Sequence, residues 1–330
     1  MSRSGITGRK RRPLVPTFID NRKIQVLDSD IELLQSMDNT PLGYLASKPF
    51  GTTNTTHGSQ HISSTLSHQL PLIMPVEEPS GASSPCATDW EFPTTPDIGN
   101  LDIVRDYQSH FENVKVSKQE AVYIELNTKE QSGSELWKKE RKQRLTASNF
   151  GKIMNRKSDV NKKCVDSILN SKPFKSSPTE YGLSKESVAS MQYMKMTGNH
   201  VHDCGLMVNP LFPCIAATPD GKVCCNGQSG LLEIKCPFWC RDLKLREAME
   251  RDVFEKRDFH LHEINGNVQL KKGHNYWWQV QGQLLVSGAK WCDFVTYTKC
   301  DFCVIRVKAD KESMEALLSK LCCVYCKFVL

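Results

Sequence analysis

Three residues carry most of the chemical information in this chain: Asp220, which follows Pro219, and the pair Glu233 and Lys235 on either side of Ile234. The stretch Leu231 to Lys235 reads as a strand, and alternation along a strand puts Glu233 and Lys235 on one face with Ile234 turned toward the core. Asp220 sits in a turn signal between neighbouring extended stretches and can be brought close to both. Converging carboxylates repel one another and are hard to keep ionised without a cation between them. A hard divalent ion such as Mg²⁺ takes oxygen ligands, polarises a phosphate and lowers the pKa of a bound water. A lysine beside it can orient that water or stabilise negative charge as it develops. The chemistry allowed by this spacing is metal-assisted phosphodiester hydrolysis. A plainer reading, a half-exposed strand pair and an ordinary turn carboxylate, fits the same residues, because a bare D…ExK pattern is frequent by chance.

Several elements are needed to position these groups. Extended stretches at Leu211–Ala217, Lys222–Cys225 and Leu231–Lys235, separated by turn signals at Pro219-Asp-Gly221 and Asn226-Gly227, predict a small antiparallel meander. Ahead of it, Ser117-Lys-Gln-Glu120 has the form of a capping box, Ser134 caps a second helix from Glu135, and Thr146 stands as the N-cap of a third with Ser148 in its first turn. A helix start of this kind suits an anionic phosphate. Asn155 to Pro178 is polar and lysine-rich and reads as an exposed connection, and a helix resumes around Glu186. Beyond the meander the pattern predicts a helix over Leu243–Val253, a hairpin at Asn265-Gly266, a buried helix over Tyr276–Val286, strands at Asp293–Thr298 and Cys303–Val307, and a closing helix over Lys311–Phe328. Interleaved helices and strands imply an α/β fold, a mixed central sheet flanked by helices.

Composition divides the chain. Residues 1–115 are rich in Ser, Thr, Pro, Gly and Asn without a sustained apolar period, which predicts a largely disordered region; residues 116–330 hold enough apolar residues for one core. No apolar run approaches a membrane span and the N-terminus opens polar and basic, so a soluble intracellular protein with no membrane partner is expected. In that setting the fourteen cysteines are expected as reduced thiols. Arg9-Lys-Arg-Arg12 fits a nuclear import signal as well as it fits a solvated tail. The net charge of +6 is too modest to announce a nucleic-acid partner by itself.

The folded part resembles a family, the YqaJ-type viral recombinase domains, relatives of lambda exonuclease in the PD-(D/E)xK nuclease superfamily. Six blocks carry the resemblance, from about Ser117 to the C-terminus: Trp137-x-x-x-Arg141, Arg144-Leu-Thr-Ala-Ser148, Tyr181-Gly182 with Glu186 and Ala189, Ala217-Thr-Pro-Asp-Gly221, Leu232-Glu-Ile-Lys-Cys-Pro237, and Tyr276-Trp-Trp-Gln-Val-Gln-Gly-Gln283. The resemblance implies a restriction-endonuclease-like core that hydrolyses DNA from double-stranded ends, 5′ to 3′, with Mg²⁺ or Mn²⁺. It implies Glu186, Asp220, Glu233 and the carbonyl of Ile234 as metal ligands, Lys235 as the catalytic lysine and Gln279 as a glutamine beside the catalytic centre. Arg141, Ser148 and Thr218 match positions that hold a terminal 5′-phosphate, with Thr218 standing where lambda exonuclease has serine. A ring-forming homotrimer is a further implication.

Rival readings compete for parts of the sequence. Cys300-x-x-Cys303 and Cys323-x-x-Cys326 fit a loose zinc template, although packing cysteines account for them better. Cys236 lacks a supporting catalytic triad, and the pairs His200-x-His202 and His260-x-His262 are assigned no role. Trp277 and Trp278 could stack on bases, but an apolar helix favours core packing for at least one. The alternative for the whole is a non-catalytic DNA-binding or assembly module that retains the nuclease fold.

Overall fold

The computed structural model describes residues 52–55, 58–61, 93–99, 102–170, 176–225 and 227–329. The chain divides into two units, Met1–Ala82 and Ser83–Leu330. In the first, β1 (Thr52–Thr55) and β2 (Gly58–His61) pair as an antiparallel hairpin with Thr52 opposite His61. The basic run Arg9–Arg12 lies outside the described residues.

The second unit is α/β. Its helices are α1 (Lys118–Leu126), α2 (Glu135–Lys142), α3 (Ala147–Met154), α4 (Lys162–Leu169), α5 (Ser177–Thr197), α6 (Leu245–Glu255), α7 (Asn275–Ser287) and α8 (Lys311–Phe328), besides short turns. A five-stranded mixed sheet runs in the order β12 (Phe302–Lys308), β11 (Trp291–Tyr297), β8 (Gln228–Lys235), β7 (Gly221–Cys225), β4 (His200–His202). Only β8 and β11 are parallel within it, with Glu233 opposite Phe294; the other neighbours are antiparallel. A parallel pair needs a long crossover, and the crossover here contains α6, the hairpin β9 (Leu261–Ile264) and β10 (Asn267–Leu270), and α7. Asn265 and Gly266 both have positive φ at that hairpin, as a type I′ turn demands.

The expected meander forms only in part. β7 and β8 make its hairpin, whereas β6 (Ile215–Ala217) leaves for a separate three-stranded sheet between β3 (Leu145–Thr146) and β5 (Met207–Val208). Pro219 and the bend at Asp220 interrupt the ladder, so the chain changes sheets there. The lysine-rich stretch 155–178 also holds more structure than expected: α4, capped by Asn161 onto the Cys164 N–H at 3.0 Å, buries Val165 and Ile168. Two apolar residues three apart in a charged run are too weak a period to read.

Packing also begins upstream of residue 116. Ile98, Val104, Phe111 and Val114 belong to the main core, and the Thr94 N–H donates to the Ser287 carbonyl at 2.9 Å. These apolar residues lie on short turns without regular spacing, so composition hides them.

The face of β8 that carries Leu231 looks into the main core, beside α3 and α7, while Leu232 and Ile234 on the opposite face pack with Ala189 and Tyr193 of α5. α7 is buried almost all round, which leaves no water for its three inner glutamines. Two glycines let α3 and α7 approach closely. A Cβ on Gly282 would meet the Phe150 ring at 2.3 Å, and one on Gly151 would meet the Asn275 Cα at 2.5 Å.

Candidate active site

Glu233 lies toward the C-terminal end of β8, 1% exposed, and both of its carboxylate oxygens accept from side-chain donors. Lys235, two residues on and on the same strand face, donates to one oxygen. From α7, Gln279 donates to that same oxygen at 2.5 Å and Gln283 to the other at 2.5 Å. These two glutamines sit one helical turn apart, so both side chains leave the same face of α7. Gln281, between them, turns away and is satisfied by the Lys308 carbonyl and the Asp310 N–H.

Asp220 is fixed to the same strand by two backbone bonds that bracket Glu233. Its N–H donates to the Leu232 carbonyl at 3.0 Å, and its carboxylate accepts from the Ile234 N–H at 2.6 Å. Glu186 reaches the site from α5. Glu186, Asp220, Ile234, Lys235 and Tyr276 line one cleft of about 330 Å³, whose lip includes Pro178, Leu183 and Pro237. The Lys235 ammonium rests over the Tyr276 ring, 4.8 Å from its centre.

The electrostatics follow from crowding. Burial, and then the Glu233 carboxylate, raise the Asp220 carboxyl well above its ordinary range despite Lys235. Burial and Glu233 likewise raise Glu186. Burial opposes the charge on Lys235, but the Glu233 and Asp220 carboxylates outweigh it and the net shift is upward, so the ammonium stays protonated. Burial pushes the Cys236 thiol up to about 12, with Glu186 and Asp220 acting in the same sense, which keeps it from being a thiolate nucleophile.

Among the described residues, no group of three or more His, Cys, Asp or Glu side chains is drawn together as a preformed metal cage. Of the four expected ligands, Glu186, Asp220 and Ile234 line the cleft, while Glu233 is held inward by its amides and ammonium. Glu186 and Asp220, whose carboxyls are raised by burial and by Glu233, are hard oxygen donors of the kind that suits a divalent cation.

The three residues expected around a phosphate also come together. Trp137 joins them: its indole N–H donates to the Thr218 hydroxyl at 3.1 Å, the Arg141 guanidinium lies over its ring at 4.2 Å, and Arg141 reaches the Ser148 hydroxyl at 3.5 Å. Ser148 is exposed in the first turn of α3. Thr146 is the N-cap of α3, but its side chain makes no capping bond; its hydroxyl accepts from the Asn149 amide instead, at 3.3 Å. Burial lowers the Arg141 pKa to about 10, which leaves the guanidinium charged at neutral pH.

Arg144 does not share this surface. It is 2% exposed, pairs with Glu140, and donates to the carbonyls of Pro213 at 2.9 Å and Val114 at 3.1 Å, so it ties α2 to the core. Arg141 and Arg144 are only three residues apart, and the fold sends them to different surroundings. Gln283 was overlooked in the sequence. It stood inside a motif block without a role, and its signal was a polar residue recurring every second position in an apolar helix.

A second cleft of similar size, about 340 Å³, contains Asn199, His200, Asp293 and Arg306 and none of the expected residues. Its charges are already closed on themselves, with Arg306 held to Asp293 by two bonds of 2.8 Å and Tyr193 donating to Asp293 at 2.5 Å. The cysteine pairs are dispersed in role: Cys303 and Cys326 pack on the main core, while Cys300 and Cys323 are exposed. Trp277 is buried and donates to Ser313 at 3.1 Å, whereas Trp278 is half-buried and donates to Asn155 at 2.9 Å.

Residues 136–290, which contain Arg141, Ser148, Glu186, Thr218, Asp220, Glu233, Lys235 and Gln279, match the YqaJ-like viral recombinase domain. Among solved structures, the chain is similar to an alkaline exonuclease from Laribacter hongkongensis at 22% identity and a TM-score of 0.45, over 59% of this chain and 92% of that one. It is also similar to the shutoff and exonuclease protein of Kaposi's sarcoma-associated herpesvirus, at 13% identity and TM-score 0.41 over 63% and 71% of the two chains. A phage-related exonuclease from Haemophilus somnus 129PT gives 13% identity and TM-score 0.36 over 56% and 94%. No curated protein matches the chain. Among the described residues, no helix is long and apolar enough to cross a membrane.

Proposed function

We propose that this YqaJ-like protein is a DNA nuclease that hydrolyses phosphodiester bonds at the cleft of Asp220, Glu233 and Lys235, acting from DNA ends as a 5′-to-3′ exonuclease. The observation that carries the reading is the pinning of Asp220 to β8 on both sides of Glu233, with Lys235 on the same face. A binding module has no use for carboxylates held at such electrostatic expense.

Glu186, Asp220 and Glu233, with the carbonyl of Ile234, would hold a divalent cation, Mg²⁺ or Mn²⁺. Such an ion supplies charge neutralisation at the phosphate and a water of lowered pKa. Gln279 and Gln283 keep the Glu233 carboxylate in one orientation, so that no reorganisation is needed when substrate arrives. Lys235, protonated and steadied by Tyr276, is oriented to stabilise charge on a phosphate entering the cleft. Thr218 and Asp220 belong to one tripeptide, whose two Cα steps span at most about 7 Å. A terminal phosphate bound by Arg141, Ser148 and Thr218 would therefore register the strand against the carboxylates.

The reading is tested on end-labelled linear and on covalently closed circular duplex DNA, each with and without Mg²⁺. Cation-dependent release of 5′ mononucleotides from linear DNA, with the circle intact, is the expected result; nicking of the circle would mark an endonuclease, and binding without cleavage the non-catalytic module. The YqaJ resemblance also carries a homotrimer with it, which light scattering on the full chain decides.

A further inference from the structure

The phosphate pocket lies at one end of α3, and the other end of the same helix is unusually basic. Ser148 and Lys152 are spaced four apart on one exposed face of the helix, which ends at Met154, and the exposed Arg156 and Lys157 follow in the segment just beyond it. From Ser148 to Asn155 the helix rises about 10 Å. That is roughly three base pairs of duplex, in which each strand carries one charge per 3.4 Å of axis.

Many cations elsewhere are closed by carboxylates, as in Arg246 with Glu263, Arg251 with Glu247 and Lys271 with Asp252, while others such as Lys139, Lys195 and Lys290 are exposed without an ion pair among the described residues. Lys152, Arg156 and Lys157 are exposed and form no ion pair among the described residues; Lys152 donates to the Asn149 amide oxygen at 2.9 Å and Arg156 to the Asp159 carbonyl at 3.2 Å. Asp159 is the one carboxylate between residues 152 and 163, against five Lys and Arg. A helix C-terminus favours cations only within its last turn, which accounts for Lys152 and leaves Arg156 and Lys157 unexplained.

This basic segment is also tied to the cleft. Asn155 donates to the Asn275 side chain at 2.9 Å and accepts from Trp278 at 2.9 Å, and Asn275 precedes Tyr276, on which Lys235 rests. The segment is thus fixed against α7 while its cations face solvent.

We infer that Lys152, Arg156 and Lys157 form a track for the phosphodiester backbone of duplex DNA, continuing from the pocket at Ser148. The inference rests on the nuclease reading and adds to it where the uncut duplex lies. Contacts of this type carry no sequence information and act through counterion release.

The test uses the full chain and a 5′-phosphorylated duplex in EDTA, with binding followed by fluorescence anisotropy between about 50 and 200 mM NaCl. The variant Lys152→Ala with Arg156→Ala and Lys157→Ala should flatten the slope of log affinity against log salt by about 2.7, the loss of three phosphate contacts. The charge-conserving variant Lys152→Arg with Arg156→Lys and Lys157→Arg should retain the wild-type slope. Its cleavage rate with saturating DNA at low salt should match the wild type in both variants, since the cleft is untouched. Parallel salt plots for wild type and the alanine variant, with DNA still bound and cut, would overturn the track alone. A wild type that neither binds nor cuts duplex would overturn the nuclease reading and the track with it.

Discussion

The carboxylate cleft and the proposed phosphate pocket are neighbours in sequence at Thr218 and Asp220, yet they are built differently. The cleft hangs from the interior of a five-stranded sheet: Glu233 is 1% exposed, held by three side-chain donors, and Asp220 is bound to backbone on both flanks. The pocket is a surface assembly in which an indole supports a guanidinium and a hydroxyl, and Ser148 stays exposed. On the proposed reading, the groups for chemistry are fixed before substrate arrives and are kept at a loss of stability, whereas the groups for recognition lie where water can still satisfy them.

The largest effect should come from cutting the chain upstream of both. Deleting Met1–Ala82 removes a separate unit and should leave the melting temperature and cleavage rate unchanged. Deleting residues 1–115 also removes Ile98, Val104, Phe111 and Val114 from the core and the Val114 carbonyl from Arg144. At about 1.5–3 kcal/mol for each large buried side chain, the fold should become marginal or fail. Equal thermal melts for the two truncations would return the domain boundary to residue 116.

Within the cleft, Lys235→Ala should slow cleavage by at least about 10²–10³-fold, the size of a lost electrostatic stabiliser, while DNA affinity in EDTA stays near that of the wild type. Asp220→Asn should be equally inactive but more stable. The folded chain binds the Asp220 proton more tightly than the unfolded chain does, so the stability it contributes is present below the unfolded pKa and is lost as pH rises through the folded value. An amide avoids that loss at neutral pH and still accepts from Ile234. The melting temperature of Asp220→Asn should therefore exceed that of the wild type at pH 7.5 and converge with it in acid; a lower value at neutral pH would break the contrast between cleft and pocket.

The pocket should respond more mildly and in specificity. A charge-assisted contact contributes about 1.5–3 kcal/mol, so Arg141→Ala should reduce the preference for 5′-phosphate over 5′-hydroxyl ends by roughly ten- to a hundredfold, with little change on hydroxyl ends. An unaltered ratio of initial rates would remove the pocket. Gln283→Met, which keeps the volume and loses one donor to Glu233, should be the smallest change: about a tenfold fall in kcat with the 5′-end preference unaltered. A wild-type kcat would mean that Gln279 and Lys235 suffice to hold the carboxylate.

Local signals in the sequence were read where physics is local. The Ser117–Glu120 capping box, the Ser134 cap, the Asn265-Gly266 turn and the helix from Lys311 to Phe328 all stand as expected, because capping, positive φ and apolar period are set by residues a few positions apart. The strand alternation that puts Glu233 and Lys235 on one face is of the same kind. What only the tertiary structure decided were choices between equivalent residues. Arg141 faces the pocket and Arg144 the core; β6 pairs with β3 and β5 while β7 stays with β8; Gln283 takes the second oxygen of Glu233 while Gln281 turns to Lys308. Each depends on partners far along the chain, and whether a buried polar group is satisfied is settled by where those partners arrive rather than by its own neighbours in sequence.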